Sequence, residues 1–141
     1  GAANVDPASL TNMVAVETAA TFTLSTAPTA NEFDMNTDGQ LRYTGTPTTN
    51  VFFTASVMLE LVTSGVDLEL VMAVTKGGTL VTGAKTGGFG PRVTTNSVPM
   101  SVSGFTSMAT NDYLNIFVGN VDSTVNVVAR MAQLTAFSLV T

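Results

Sequence analysis

Apolar and polar residues alternate along most of this chain, and few of the polar ones carry a charge. The longest alternating run covers residues 51–62. One set of its alternate positions is apolar throughout: Val51, Phe53, Ala55, Val57, Leu59 and Leu61. The other set is mostly polar but is interrupted by Phe52, Met58 and Val62. Successive side chains leave a β-strand on opposite sides, so this period of two predicts strands.

Composition agrees with a β-protein that has a large core. The chain has 141 residues, of which 45% are hydrophobic, enough for one domain that folds without disulfides or metals. Charged residues make up only 11% of the chain, against about 25% in an average soluble protein. Thr and Ser take the polar positions instead. This composition suits a sheet whose outer faces are neutral or pack against other copies.

Several classes of function are excluded by what the chain lacks. It has no Cys and no His, which removes thiolate chemistry, ordinary zinc sites and imidazole catalysis. The net charge of −5 argues against binding to a nucleic-acid backbone. No apolar run approaches the roughly 20 residues that span a bilayer. We therefore expect no enzymatic activity, no cofactor, no nucleic-acid partner and no membrane insertion.

Turn residues divide the chain into about ten short strands, which predicts an all-β, two-sheet antiparallel sandwich or a barrel. We expect an N-terminal arm over residues 1–12 and one domain over residues 13–141. The strands that the pattern predicts are residues 13–18, 20–24, 32–36, 40–44, 49–62, 67–75, 97–108, 112–118 and 124–140.

Four further features are also predicted. Gly77-Gly78 supplies the positive φ angles of a two-residue hairpin turn. Pro99 cannot donate to a ladder, which indicates an edge strand or a bulge. The last strand is expected to bend near Arg130. Residues 80–96, rich in Gly, are expected to be irregular.

The best ligand-like string is Asp34-x-Asn36-x-Asp38-Gly39, which copies the first half of a calcium-binding loop. Gly45 stands where such a loop needs a bidentate Glu, and the cation Arg42 stands at its ninth position. The competing interpretation is a hairpin turn whose Asn and Asp side chains bond to their own backbone. We favour the turn and keep Asp34, Asn36 and Asp38 as a weak metal candidate.

Lys76, Lys85 and Arg92 lie in a Gly-rich stretch without acids, residues 76–96. The rest of the chain has ten acids and only two bases. A flexible basic loop on an acidic body could contact an anionic glycan or an acidic protein. The alternative is a solvated loop with no partner. These three residues are the candidate partner-binding set.

Most of the Phe residues occupy positions with the parity of the core, and we expect them to pack there. Phe52 differs, because it neighbours Phe53 and so points to the opposite side. Outward apolar residues on a long strand are candidates for a subunit contact. The candidate interface residues are Phe52, Met58 and Val62.

Three stretches resemble the C1q/TNF-like jelly roll of trimeric head domains, including structural proteins of phages and other viruses. Residues 31–45 (NEFDMNTDGQLRYTG) resemble the family's B′–B segment. Residues 108–116 (MATNDYLNI) resemble its strand G, with Asn111 in place of Gly. Residues 136–140 (AFSLV) are similar to its closing strand. The likeness covers residues 22–140, and the collagen-like stalk of C1q relatives is missing.

The resemblance implies a ten-strand jelly roll that forms a homotrimer. It implies a location at the virion surface as a spike, fibre head or capsid decoration protein, with other virion proteins and a host glycan or receptor as partners. The alternative is a secreted carbohydrate-binding β-sandwich. That class usually exposes Trp or Tyr platforms, and this chain has no Trp and only Tyr43 and Tyr113.

Overall fold

The structure is a computed structural model that describes residues 13–15, 32–35, 39–61, 69–89, 97–120 and 127–139. All regular elements in these ranges are β-strands. They are β1 (Met13–Ala15), β2 (Phe33–Met35), β3 (Leu41–Tyr43), β4 (Thr49–Leu61), β5 (Glu69–Lys76), β6 (Thr79–Phe89), β7 (Ser97–Met108), β8 (Tyr113–Asn120) and β9 (Val127–Ser138). These residues include no helix long and apolar enough to cross a membrane.

The strands form two antiparallel sheets. The larger sheet has the order β2-β3-β8-β5-β6, and β1 also pairs with β8. The smaller sheet has the order β7-β4-β9. The protein is therefore an all-β, two-sheet antiparallel β-sandwich, as the alternating pattern predicts. The predicted arm, residues 1–12, and the predicted strand at residues 20–24 lie outside the described residues.

The core lies between the sheets and is built from alternate residues of the central strands. In β4 the first five predicted inward residues are almost completely buried, and they pack against alternate residues of β5 and β8. Apolar side chains at every second position can leave water together only if their strand packs on a second layer. The buried residues of these strands are Val51, Phe53, Ala55, Val57, Leu59, Leu70, Met72, Val74, Leu114, Ile116 and Val118.

The predicted turn and irregularities occur where expected. Gly77 and Gly78 have φ angles of 56° and 83° and join β5 to β6. The β4–β9 register shifts between Met58 and Leu59, which leaves Arg130 without an opposite residue. Pro99 lies on β7, which is an edge strand of the smaller sheet as described. A bulge and an edge are the places where a sheet tolerates these residues.

The expectation of an irregular stretch after the hairpin is wrong for residues 80–89, which belong to β6, and this strand pairs with β5. Four residues of β6, 81–84, lie opposite the single residue Val74. Gly83 has a φ of 78° within this bulge, so Val81 and Ala84 both reach the core although they are three residues apart. The bulge therefore destroys the period of two that would have revealed the strand.

Candidate interaction surface

The side of the smaller sheet that points away from the core is called the outer face here. It consists of the alternate residues of β7, β4 and β9 that face solvent. The large apolar side chains that are most exposed in the described part of the chain all lie on it. They are Phe105 (61% exposed), Met131 (63%), Phe137 (50%) and Leu139 (42%). A soluble monomer usually exposes such residues singly, so their concentration on one face makes this face a candidate contact surface.

One end of the outer face carries three Phe side chains in a row. Phe52 of β4 lies directly opposite Phe105 of β7 on one side and Phe137 of β9 on the other. Its ring centroid is 5.0 Å from each of theirs, at interplanar angles of 58° and 43°. Tilted pairs at this distance are favourable ring contacts. Phe52 is half-buried because its neighbours flank it, whereas they remain exposed. This set is the aromatic row.

The other end of the outer face carries a shallow groove. Met58 lies opposite Pro99 and Met131 in the strand register. The groove has a volume of about 520 Å³, and Ser56, Ser101 and Gln133 complete its outer lining. We call it the methionine groove. Met side chains are flexible and polarisable, which suits an adaptable contact surface.

Neutral hydroxyl and amide groups separate the two ends. They form two rows across the three strands: Thr54 with Ser103 and Thr135, then Ser56 with Ser101 and Gln133. In the described part of the outer face, the only charged residues are Glu60 and Arg130, and they bind each other. Arg130 Nε donates to Glu60 Oε2 at 2.8 Å, and this carboxylate raises the pKa of the guanidinium. The described part of the outer face therefore carries no net charge.

Phe52 and Met58 lie on the outer face, as their sequence positions predict, and their role in an interface remains a prediction. Val62 lies outside the described residues. The expectation that the other Phe residues pack in the core is wrong for Phe105 and Phe137. It is also wrong for Phe117, which packs against Val71 and Ala73 on the side of the larger sheet that faces away from the core. The sequence does contain one signal for the position of Phe105. Phe105 is an even number of residues from Pro99 and an odd number from Met100 and Val102, so it lies on the side of the strand opposite to these two core residues. Gly104 takes the inward position instead, where a Cβ atom would lie 3.0 Å from Cζ of Phe53.

The candidate calcium ligand Asp34 is bound by a cation of the chain itself. Asp34 of β2 lies opposite Arg42 of β3, and the guanidinium donates to both carboxylate oxygens, with Nε 2.9 Å from Oδ1. This hydrogen bonding lowers the pKa of Asp34. Asn36 and Asp38 lie outside the described residues, so the metal candidate remains open there. Among the described residues, no cluster of three or more acids could hold a metal ion.

The candidate basic set is not brought together. Lys76 pairs with Leu114, a core residue, so it points inward at the end of β5, and its ammonium donates to the Ser107 carbonyl at 2.9 Å. Lys85 lies opposite Ala73, which faces away from the core with Val71. Lys76 and Lys85 therefore lie on opposite sides of the larger sheet. Arg92 lies outside the described residues, and a partner contact by this set remains a prediction.

The geometry gives little support to a carbohydrate platform. Tyr43 is completely buried, and its hydroxyl donates to the Pro47 carbonyl at 2.7 Å. Burial and the charge of Glu32 raise the pKa of this phenol. Tyr113 is half-buried in β8.

Comparisons with protein-family models and with curated proteins found no match to this chain.

Proposed function

We propose that this chain is a non-enzymatic structural protein of a virion surface, and that its copies associate into a homotrimer through the outer face. The observation that carries this proposal is the apolar outer face. An aromatic side chain buries about 150–250 Å² when it is covered, and Phe105 and Phe137 are each at least half exposed. Leu139 adds a third exposed apolar side chain at the same end of the outer face, and Met131 adds a fourth at the other end. Several large apolar side chains exposed on one face are typical of contact sites on soluble proteins.

Composition and electrostatics support self-association. The outer face has no unpaired charge in its described part, so covering it leaves no ion without a partner. Neutral hydroxyl groups between two apolar ends can form hydrogen bonds across an interface. Large apolar side chains next to polar groups that are able to pair are typical of stable subunit contacts.

The virion assignment rests on the sequence resemblance and is supported by the strand order. The chain crosses between the sheets after β3, β4, β6, β7 and β8. Such crossings are typical of double Greek-key jelly rolls, an architecture that includes viral capsid domains. The resembling stretches form the β2–β3 pair, the start of β8 and the end of β9. The resemblance also supplies the threefold symmetry and the proposed role as spike, fibre head or capsid decoration protein.

Sedimentation equilibrium at micromolar concentration tests the assembly. We expect the mass of a trimer for the unmodified chain. The variant Phe105→Gln/Phe137→Gln should be monomeric and still folded, because both side chains are largely exposed in the monomer. Thr82→Gln, an exposed position on β6 in the other sheet, is the matched control and should remain trimeric. A wild-type chain that is monomeric throughout this range would overturn the proposed trimer.

The virion role has a separate test. We expect the gene to lie beside capsid or tail genes. We also expect antibodies against the folded domain to label particles produced from the same genome. If the chain forms a trimer but is absent from those particles, the proposed virion role is wrong and the proposed trimer still stands.

A further inference from the structure

We propose that Met131 and Met58 form an oxidation site: conversion of their thioethers to sulfoxides prevents copies of the chain from associating. This inference rests on the proposed self-association through the outer face and names a way in which it is controlled. The oxidant is a peroxide, and it acts on the chain before assembly, when the methionine groove is open to water.

The first step of the argument is the unequal exposure of the methionines. Met131 is 63% exposed and Met58, its cross-strand neighbour, is half-buried. Met72 and Met108 are completely buried, and Met100 is 7% exposed. Oxidation of methionine depends on access of the oxidant to sulfur. Among the five methionines whose side chains the structure describes, two are therefore accessible to solvent and three are buried.

The second step is the surroundings of the two sulfurs. Apart from Met58 and Met131, the groove is lined by the neutral polar residues Ser56, Ser101 and Gln133 and by the apolar residues Val57, Pro99, Met100 and Ala132. The nearest charged groups in the strand register are Glu60 and Arg130, and these are paired with each other. The groove is thus lined by apolar and neutral polar groups. A sulfoxide oxygen added to either methionine would make this surface more polar.

The chemistry is an oxygen-atom transfer. The sulfur attacks one peroxide oxygen, the O–O bond breaks and an S–O bond forms. Sulfur is oxidised by two electrons, and hydrogen peroxide is reduced to one molecule of water. The product is polar and accepts hydrogen bonds, whereas the thioether is nearly apolar. Covering the sulfoxide without a donor would leave a buried polar group unsatisfied, which opposes association.

The experiment treats the purified full chain with hydrogen peroxide at a dilution where it is monomeric, and locates the added oxygen by peptide mass spectrometry. We expect oxidation at Met131 first and at Met58 second, with Met72, Met100 and Met108 modified only after unfolding. After removal of peroxide, sedimentation should show a dissociation constant at least about tenfold weaker than that of the untreated chain.

The double variant Met131→Leu/Met58→Leu is the matched comparison, because Leu has a similar volume and cannot be oxidised. Its dissociation constant should be the same before and after peroxide treatment, whatever its starting value, whereas the dissociation constant of Met100→Leu should still rise on treatment. Oxidation of Met131 no faster than that of Met72, or an oxidised chain that associates as tightly as before, would overturn this inference. An untreated chain that never associates overturns the proposed trimer instead, so the two failures are distinguishable.

Discussion

Tyr43 shows how closely one end of the sandwich is packed. Its ring is fully buried and lies 5.4 Å from that of Phe33. The loop after β3 passes so close that a Cβ atom on Gly45 would lie 2.3 Å from the Tyr43 hydroxyl oxygen. Thr110 ties the same loop to the turn before β8 by donating to the Gly45 carbonyl at 2.6 Å. Neither the ring nor the loop has room to move.

We therefore expect Gly45→Ala to lower the free energy of unfolding by about 1–3 kcal/mol, the usual cost of adding an atom to a packed site. Urea denaturation measures this change. Thr46→Ala, at the next and exposed position, is the control and should change stability by less than about 0.5 kcal/mol. Equal stabilities for the two variants would show that the tyrosine can be displaced without cost.

At the scale of single elements, calcium binding tests whether the segment between β2 and β3 is a metal-binding loop or a hairpin turn. We expect neither calcium nor EDTA to shift the melting temperature by more than about 2 °C, a small change for a domain of this size. The reason is that Arg42 already occupies both oxygens of Asp34. A rise in melting temperature when calcium is added to the unmodified chain would contradict the turn.

The variant Arg42→Ala provides the control, and the lowered pKa of Asp34 gives the sign of the pH dependence. A carboxyl whose pKa is lower in the folded chain stabilises the fold above its ordinary value of about 3.9, and this contribution is lost as the pH falls. Wild type and Arg42→Ala should therefore differ most near neutral pH and converge in acid. The effect is small because both side chains are about half exposed.

The elements also show where the sequence is informative. The strands β4 and β7 and the hairpin at Gly77-Gly78 were predictable, because their side chains alternate and their turn needs positive φ angles. Strand β6 was not predictable, because its bulge places Val81 and Ala84, three residues apart, on the same side and so breaks the alternation. The sequence also did not show on which side of β9 Phe137 lies. The bulge at Arg130 moves the residues after it to the side opposite the one that strict alternation from the start of the strand predicts. Local alternation predicts a strand, whereas a bulge is set by pairing with distant residues.

At the scale of the whole molecule, charge and apolar surface lie in different places. The chain carries a net charge of −5. The described outer face, however, holds one acid and one base that neutralise each other. The apolar patch could not be located from the sequence alone, because it combines residues from β7 and β9 that meet only through β4. Assembly through this face should therefore depend on apolar contact rather than on charge.

This separation predicts how association responds to salt. The screening length falls from about 10 Å at 0.1 M salt to about 3 Å at 1 M, which weakens contacts between exposed charges. We expect the dissociation constant of the trimer to change by less than about threefold over this range, because hydrophobic association does not require unscreened charges. Sedimentation equilibrium in sodium chloride measures it, with the ion-pair variant Arg130→Gln/Glu60→Gln as control. If high salt weakens the wild type tenfold, charged groups outside the outer face hold the copies together.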